Sequence, residues 1–293
     1  MTPFQFFLAK KIILETKESF SILYLQHGDS EKNDYYAKEL TGIVNNIYRY
    51  RVKSGNFLAK IIYFLFYLIK NYMIFSNFNK IYFATITDKH IYVFLRFFRY
   101  TNLITFDDGL GNIYTEGIFF EETEQLNYIK NRISNHYTIY DGFENIVSKD
   151  RLLKISLLDK VENNKNDQDK VVSIFLGQPY EEFLDKSFNL RNFELFLKKI
   201  GIDYYYPHPR EKERVVDLNY VNTPLIFEDY AVDLLSKYSR LKVYTFTSSA
   251  ILNICGLENV ELYAFKTEHL KFDYLSLYDI FKVQNIKILN IDL

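Results

Sequence analysis

The stretch NLITFDDGLGN, residues 102–112, joins a β-strand pattern to two carboxylates and two glycines. The apolar and β-prone residues 102–106 predict a strand, and Asp107 and Asp108 follow where it ends. Gly109 and Gly111 would let the backbone approach a ligand closely. In an open α/β sheet, ligands bind at the carboxyl ends of the strands. The stretch therefore predicts a binding edge, with an ordinary Asp-Gly turn as the alternative.

The rest of the chain alternates strand patterns with helical patterns, which predicts parallel sheets covered by helices. A polar, aperiodic run at 158–170 reads as a linker, and 293 residues are enough for two domains. The further strands are predicted at 21–25, 80–86, 137–140, 171–176, 203–206, 225–228, 242–246, 260–264 and 286–290, and helices at 4–17, 34–46, 182–200 and 230–239.

The composition is that of an ordinary globular protein. The hydrophobic fraction is 48%, the charged fraction is 25%, and a net charge of -1 gives no reason to expect a nucleic-acid partner. Cys255 is the single cysteine, which excludes an intrachain disulfide and fits a reducing compartment. It lies in an apolar run and is predicted to be a core residue. Residues 1–10 lack the pattern of a secretory signal.

Two later strand ends also carry polar groups. In the first, YYYPHPR at 204–210, the prolines fix the backbone around His208. Arg210 in the same motif could bind phosphate or pair with Glu211. In the second, YTFTSSA at 244–250, Ser248 and Ser249 open an apolar helical run. Such a serine pair can bind an anion or simply cap the helix.

Taken in order, the Asp-Asp-Gly motif, the His-Pro motif and the serine pair resemble the motif set of bacterial sialyltransferases. The closest resemblance is to glycosyltransferase family 52, the lipooligosaccharide sialyltransferase family. Further segments that resemble the family span nearly the whole chain in the same order: Asp34-Tyr35-Tyr36, residues 80–84, residues 136–139, Leu176-Gly177 and Glu228-Asp229-Tyr230.

This resemblance implies an α/β, GT-B-like fold with two Rossmann-type parallel-sheet domains facing a cleft. Residues 1–157 would form the acceptor-side domain, and residues 171–293 the domain that binds the nucleotide sugar. The implied reaction is inverting transfer of sialic acid from CMP-sialic acid to a terminal sugar, such as galactose, of lipooligosaccharide or capsule. The alternatives are a different nucleotide sugar, or a non-catalytic glycan- or membrane-binding relative.

An oxocarbenium-like transition state needs a base, a group that stabilises the leaving phosphate, and a nucleotide pocket. The resemblance gives His208 the phosphate role. For the base, Asp107 is ranked first with Asp108 beside it, and Glu181 second. Tyr180 stands where the family is expected to carry a catalytic aspartate. Glu228 could bind ribose or simply begin a helix. The expected pocket comprises Gly177, Gln178, Pro179, Tyr180, His208, Pro209, Arg210, Glu228, Thr247, Ser248 and Ser249.

No metal or other cofactor is expected, because the five histidines are far apart and Asp167-Gln168-Asp169 lies in the polar linker. The expected partners are CMP-sialic acid, a glycan or glycolipid acceptor and a second copy of the chain, and the expected location is the cytoplasm. Residues 41–87 contain no acidic residue and include an apolar run at 57–69. That run is shorter than the roughly 20 residues of a membrane span. It could be buried between domains or subunits, or dock on an anionic membrane or a phosphorylated glycolipid.

Overall fold

The computed structural model describes residues 1–28, 30–53, 55–158, 170–212 and 217–292. The chain divides into two compact units, Met1–Leu157 and Leu158–Leu293. Most of the predicted linker, including Asp167-Gln168-Asp169, lies outside the described residues.

The first unit contains two parallel sheets. One pairs two strands, and the other has four strands in their order along the chain. The strands are β1 (Ser21–Gln26), β2 (Asn46–Arg51), β3 (Lys80–Phe83), β4 (Asn102–Phe106), β5 (Ile133–Thr138) and β6 (Leu152–Lys154). The helices are α1 (Pro3–Thr16), α2 (Glu31–Glu39), α3 (Phe57–Lys70), α4 (Tyr72–Phe75), α5 (Lys89–Phe97) and α6 (Glu124–Lys130).

Apolar side chains from these strands and helices form two clusters in the first unit. One packs Leu103 of β4 and Ile133 of β5 against Ile129 of α6. The other packs Tyr50 of β2 against Phe64 of α3. Each fully buried side chain of this size contributes roughly 1.5–3 kcal/mol. The clusters therefore fix the sheets and the polar strand ends beyond them.

The second unit contains one five-stranded parallel sheet, in the order β11-β10-β9-β7-β8. The first two strands of the unit, β7 and β8, lie on one side, and the later strands continue on the other. The order therefore reverses between β7 and β9, and ligands of open α/β sheets bind at such a reversal. The strands are β7 (Val171–Leu176), β8 (Tyr204–Tyr206), β9 (Arg240–Thr245), β10 (Val260–Lys266) and β11 (Lys287–Asn290), and the helices are α7 (Tyr180–Phe183), α8 (Leu190–Lys199), α9 (Phe227–Lys237), α10 (Ala250–Asn253) and α11 (Leu277–Val283).

The predicted α/β class with parallel sheets is confirmed, but three predicted elements are wrong and one strand was not predicted. The expected helix 34–46 ends at Glu39, and a strand begins at Asn46. The expected strand 225–228 gives way to a helix that starts at Phe227 and carries two acids in its first turn. The expected helix 182–200 is two helices, because Asn189 caps the second by accepting from the N–H groups of Arg191 and Asn192. Strand β2 was not predicted, because the exposed Arg49 and Arg51 interrupt the apolar pattern of a strand. Among the described residues, every helix is too short or too polar to cross a membrane.

Candidate active site

Asp107 is a buried anchor in the first unit. Its side chain has 0% exposure. One carboxylate oxygen lies 2.9 Å from His136 Nε2, and the other accepts from Thr138 Oγ1 at 2.9 Å and from the N–H of Ile139 at 2.7 Å. These contacts give Asp107 a structural role, because they tie the end of β4 to β5 and to the residue after it. A general base must reach the acceptor hydroxyl at roughly 2.6–3.2 Å, so the role of Asp107 as the base stays a prediction.

Asp108 is only half buried, but its carboxylate is held as well. Gln5 Nε2 donates to one oxygen, and Thr85 Oγ1 donates to the other at 2.7 Å. The N–H of Asp108 donates to Asn112 Oδ1 at 2.6 Å, and Gly109 follows with a φ of +69°, a value that favours glycine. Asp108 is therefore the carboxylate of this motif that reaches the surface.

Gln178 occupies the reversal point of the second sheet. Its Oε1 accepts from Thr245 Oγ1 at 3.1 Å and from the N–H groups of Phe246 and Thr247 at 3.2 and 2.9 Å. Its Nε2 donates to Thr247 Oγ1 at 2.8 Å. The amide is buried, and both of its polar atoms bind protein. Gln178 therefore ties the end of β7 to the end of β9, and its expected place in the nucleotide pocket stays a prediction.

His208 lies half-buried in the turn after β8, and the turn fixes its tautomer. The N–H of Arg210 donates to His208 Nδ1 at 3.1 Å. In the neutral ring the proton must then be on Nε2, which can donate to a leaving group. The N–H of His208 itself donates to Glu211 Oε2 at 3.2 Å. Glu211 is a residue that the sequence did not single out as part of the site, and it holds the turn from inside.

A chain of buried hydroxyls supports Glu211. Tyr205 Oη donates to Glu211 Oε1 at 2.7 Å, and Tyr180 Oη lies 2.5 Å from Tyr205 Oη. Burial raises the pKa of both tyrosines well above the usual value, so both keep their protons. A Cβ at Gly177 would lie 2.4 Å from Glu211 Oε2, so only glycine fits at this position. Tyr180 is thus buried in the core, and its expected place in the pocket stays a prediction.

Two exposed glutamates lie beside the His208 turn. Glu182 pairs with Arg210 at 2.6 Å, whereas the sequence suggested Glu211 as the partner of Arg210. Glu181 lies 3.1 Å from Lys212 Nζ. Its own backbone N–H first, and then Lys212, lower the pKa of Glu181 below the usual value for glutamate. Glu181 is therefore ionised at neutral pH and open to solvent.

The end of β9 presents the serine pair. Ser248 and Ser249 are half-buried, and Thr247 beside them is buried. The helix that they precede, α10, has only four residues, and Ser249 makes no capping side-chain hydrogen bond. Glu228 is buried in the first turn of α9 and accepts from Asn253 Nδ2 at 2.6 Å. That contact holds α10 against α9 and indicates a structural role for Glu228.

Cys255 and the two prolines of the expected pocket can also be placed. Burial raises the pKa of Cys255 to about 12, so its thiol stays protonated, as a packed cysteine would. No group of three or more metal-ligating side chains occurs within the part of the chain that the structure describes. Pro179 is buried at the start of α7, whereas Pro209 is exposed beside His208.

Of the predicted site residues, all except Asp107 and Asp108 lie at the carboxyl edge of the five-stranded sheet. This combination of a parallel α/β sheet and polar strand ends at a reversal point defines an α/β protein that binds a ligand at that edge. The chain belongs to glycosyltransferase family 52, whose model matches residues 17–269.

Curated relatives agree with this assignment. The chain is 31% identical to a CMP-N-acetylneuraminate:beta-galactoside alpha-2,3-sialyltransferase of Pasteurella multocida, over 99% of this chain and 97% of the relative. It is 30% identical to an N-acetyllactosaminide alpha-2,3-sialyltransferase of Haemophilus influenzae, over 91% of this chain and 90% of the relative. A Neisseria meningitidis protein of the same name is 27% identical, over 99% of this chain and 84% of the relative. Among solved structures, Acinetobacter baumannii MurG matches with a TM-score of 0.49 and 11% identity, over 98% of this chain and 82% of that one.

Proposed function

We propose that this protein is an inverting sialyltransferase that moves sialic acid from CMP-sialic acid to a terminal galactose of a bacterial surface glycan. The observation that carries the proposal is the convergence of His208, the serine pair and Glu181 at one edge of the five-stranded sheet. The name of the Pasteurella multocida relative supports CMP-N-acetylneuraminate as the donor and a β-galactoside as the acceptor. All three names support an α-2,3 linkage.

In this proposal His208 acts on the leaving group. The acceptor oxygen bonds to the anomeric carbon of sialic acid while the bond from that carbon to the CMP oxygen breaks. His208 Nε2 donates its hydrogen to the departing phosphate, because its Nδ1 already accepts the N–H of Arg210. Ser248 and Ser249 present hydroxyls on the same edge, where they stabilise the phosphate charge. The remaining walls of the pocket are formed by Gly177, Pro179, Pro209 and Thr247.

For the base we propose Glu181, in place of the expected Asp107. Glu181 is exposed and ionised, and Lys212, four residues after His208, binds its carboxylate. Glu181 can therefore take the proton of the acceptor hydroxyl at the same sheet edge that carries His208. The catalytic role expected for Asp108, the half-buried carboxylate of the Asp-Asp-Gly motif, stays a prediction.

The donor is tested with purified protein and a lactose-type acceptor. We expect CMP release and sialylated product with CMP-sialic acid, and neither nucleotide release nor product with UDP-galactose. Turnover of UDP-galactose in place of CMP-sialic acid would favour another transferase activity. Absence of both transfer and slow hydrolysis of CMP-sialic acid would favour a non-catalytic relative.

We further propose that transfer needs no divalent metal, because the groups proposed to stabilise the phosphate are His208 and the serine hydroxyls. Full activity in EDTA is the expected result, measured against the same enzyme with added magnesium or manganese. Activity lost in EDTA and restored by either metal would contradict this. The cytoplasmic location, the glycolipid or capsule acceptor and the homodimer expected from the sequence stay predictions.

A further inference from the structure

Helix α3 presents an apolar surface to solvent. Its buried side contributes Phe64 and Leu68 to the core. On the opposite side Leu58 is 70% exposed and Phe66 is 66% exposed, and Met73 in the following helix α4 is 81% exposed. We call this surface the α3 face, and it consists of Phe57, Leu58, Ile62, Tyr63, Phe66, Ile69, Tyr72 and Met73. An apolar surface of this extent marks an interaction site.

Within residues 41–87, which contain the α3 face, every charged side chain is basic, and Asp88, the first acid after them, pairs with His90 and has a side chain that is 21% exposed. Residues 41–87 carry no acidic side chain. Lys60 and Lys70 lie within α3, and the exposed Arg51 and Lys53 precede it. Lys89 Nζ lies 4.5 Å from the centroid of the Phe57 ring, which places another cation beside the start of the helix. The apolar surface is thus bordered by basic side chains.

We propose that the α3 face docks on an anionic lipid surface. A two-fold interface with a second copy pairs a surface with itself, so these cations would meet one another with no acid from residues 41–87 between them. An anionic lipid surface supplies the opposite charge, and its acyl boundary accepts the apolar side chains. Lysine stems can run along the apolar surface while their charges stay among the headgroups.

The dimensions of the helix fit docking in the plane of the membrane. Helix α3 has 14 residues, fewer than the roughly 20 that a membrane-spanning helix needs. It exposes one face and buries the other, which is the property of an interfacial helix. Tyr63 and Tyr72 place amphipathic rings on the α3 face. Tyrosine rings are enriched at the headgroup level of membranes. This proposal does not rest on the sialyltransferase activity.

The test is vesicle co-sedimentation of the full chain with phosphatidylcholine alone and with added phosphatidylglycerol. We expect binding that requires the anionic lipid and weakens as salt is raised. The variant Phe66→Ser should lower vesicle binding about fivefold or more, because it removes a large apolar contact. The matched control is Leu195→Ser, since Leu195 on α8 is 57% exposed but lies in the other unit. The control should bind as the unchanged protein does.

Light scattering of the same samples separates lipid docking from self-association. No binding to anionic vesicles, or equal binding by both serine variants, overturns the proposal. A dimer that becomes a monomer in Phe66→Ser also overturns it and assigns the α3 face to a second copy. Because both variants lie outside the transferase edge, transfer to a soluble acceptor in the absence of lipid should stay unchanged in each.

Discussion

Asp107 and His208 both follow a strand at its carboxyl end, yet the structure treats them in opposite ways. Asp107 after β4 has 0% exposure and three hydrogen-bonding partners from β5 and the residue after it. His208 after β8 is half-buried, and its Nδ1 accepts a backbone N–H of its own turn. A strand-end position therefore brings a polar residue to the edge but does not decide whether it reaches a ligand.

The neighbouring strands explain the difference. Strand β4 is an inner strand, and β5 beside it carries His136 and Thr138, whose side chains enclose the carboxylate. Strand β8 is the last strand in the order of its sheet, and the turn after it has prolines on both sides of His208. The accessible groups for chemistry then gather around β8, β7 and β9.

The largest expected effect tests the accessible side of this comparison. His208→Ala removes the hydrogen-bond donor proposed for the leaving phosphate, so kcat should fall by roughly two to four orders of magnitude. Steady-state transfer from CMP-sialic acid measures it. Circular dichroism should show an unchanged unfolding midpoint, because the imidazole is not a core group. Near-normal turnover would remove His208 from the reaction.

The second prediction concerns the base. Glu181→Gln should lower kcat by about two orders of magnitude and leave donor KM nearly unchanged, because a base touches the acceptor. Glu182→Gln is the matched control, since its carboxylate is exposed too but pairs with Arg210. A larger loss in the Glu182 variant would assign the base to that residue. No loss in either variant would leave Asp107 or Asp108 of the first unit as the candidate base.

The sequence predicted the fold class and the edge but not which side chains face outwards. Strand-end motifs placed His208, Glu181 and the serine pair on one sheet edge. They could not show that Gln178 and Tyr180 turn inwards, because that depends on partners 67 and 25 residues away, Thr245 and Tyr205. Glu211 was missed for the same reason. The sequence carries no local signal for Glu211, because its place beside Gly177 exists only in the fold, where a Cβ at Gly177 would lie 2.4 Å from Glu211 Oε2.

The third prediction tests the buried side of the comparison. Asp107→Asn replaces an acceptor oxygen by an amide N–H₂ that faces donors, and leaves His136 without its carboxylate partner. The free energy of unfolding should fall by about 1–3 kcal/mol, the range for a buried polar group that loses its hydrogen-bond partner. Urea unfolding measures this loss. An unchanged unfolding free energy together with a large loss of kcat would restore Asp107 as the general base.

The smallest expected effect is a shift in pH dependence. Glu181 must be ionised to accept a proton, and its pKa is lowered first by its own backbone N–H and then by Lys212. Activity is then lost only as the pH falls through that lowered pKa. Lys212→Ala removes one cause, so the pKa of Glu181 rises and the acid limb of the kcat profile moves to higher pH. At neutral pH the change in kcat should stay below about threefold, because the pair is exposed.

The control is Lys199→Ala, which removes another exposed lysine and should leave the acid limb in place. An acid limb that does not move in the Lys212 variant, or that moves equally in both, would mean that the limb reports another carboxylate, and Asp108 would then be the next candidate.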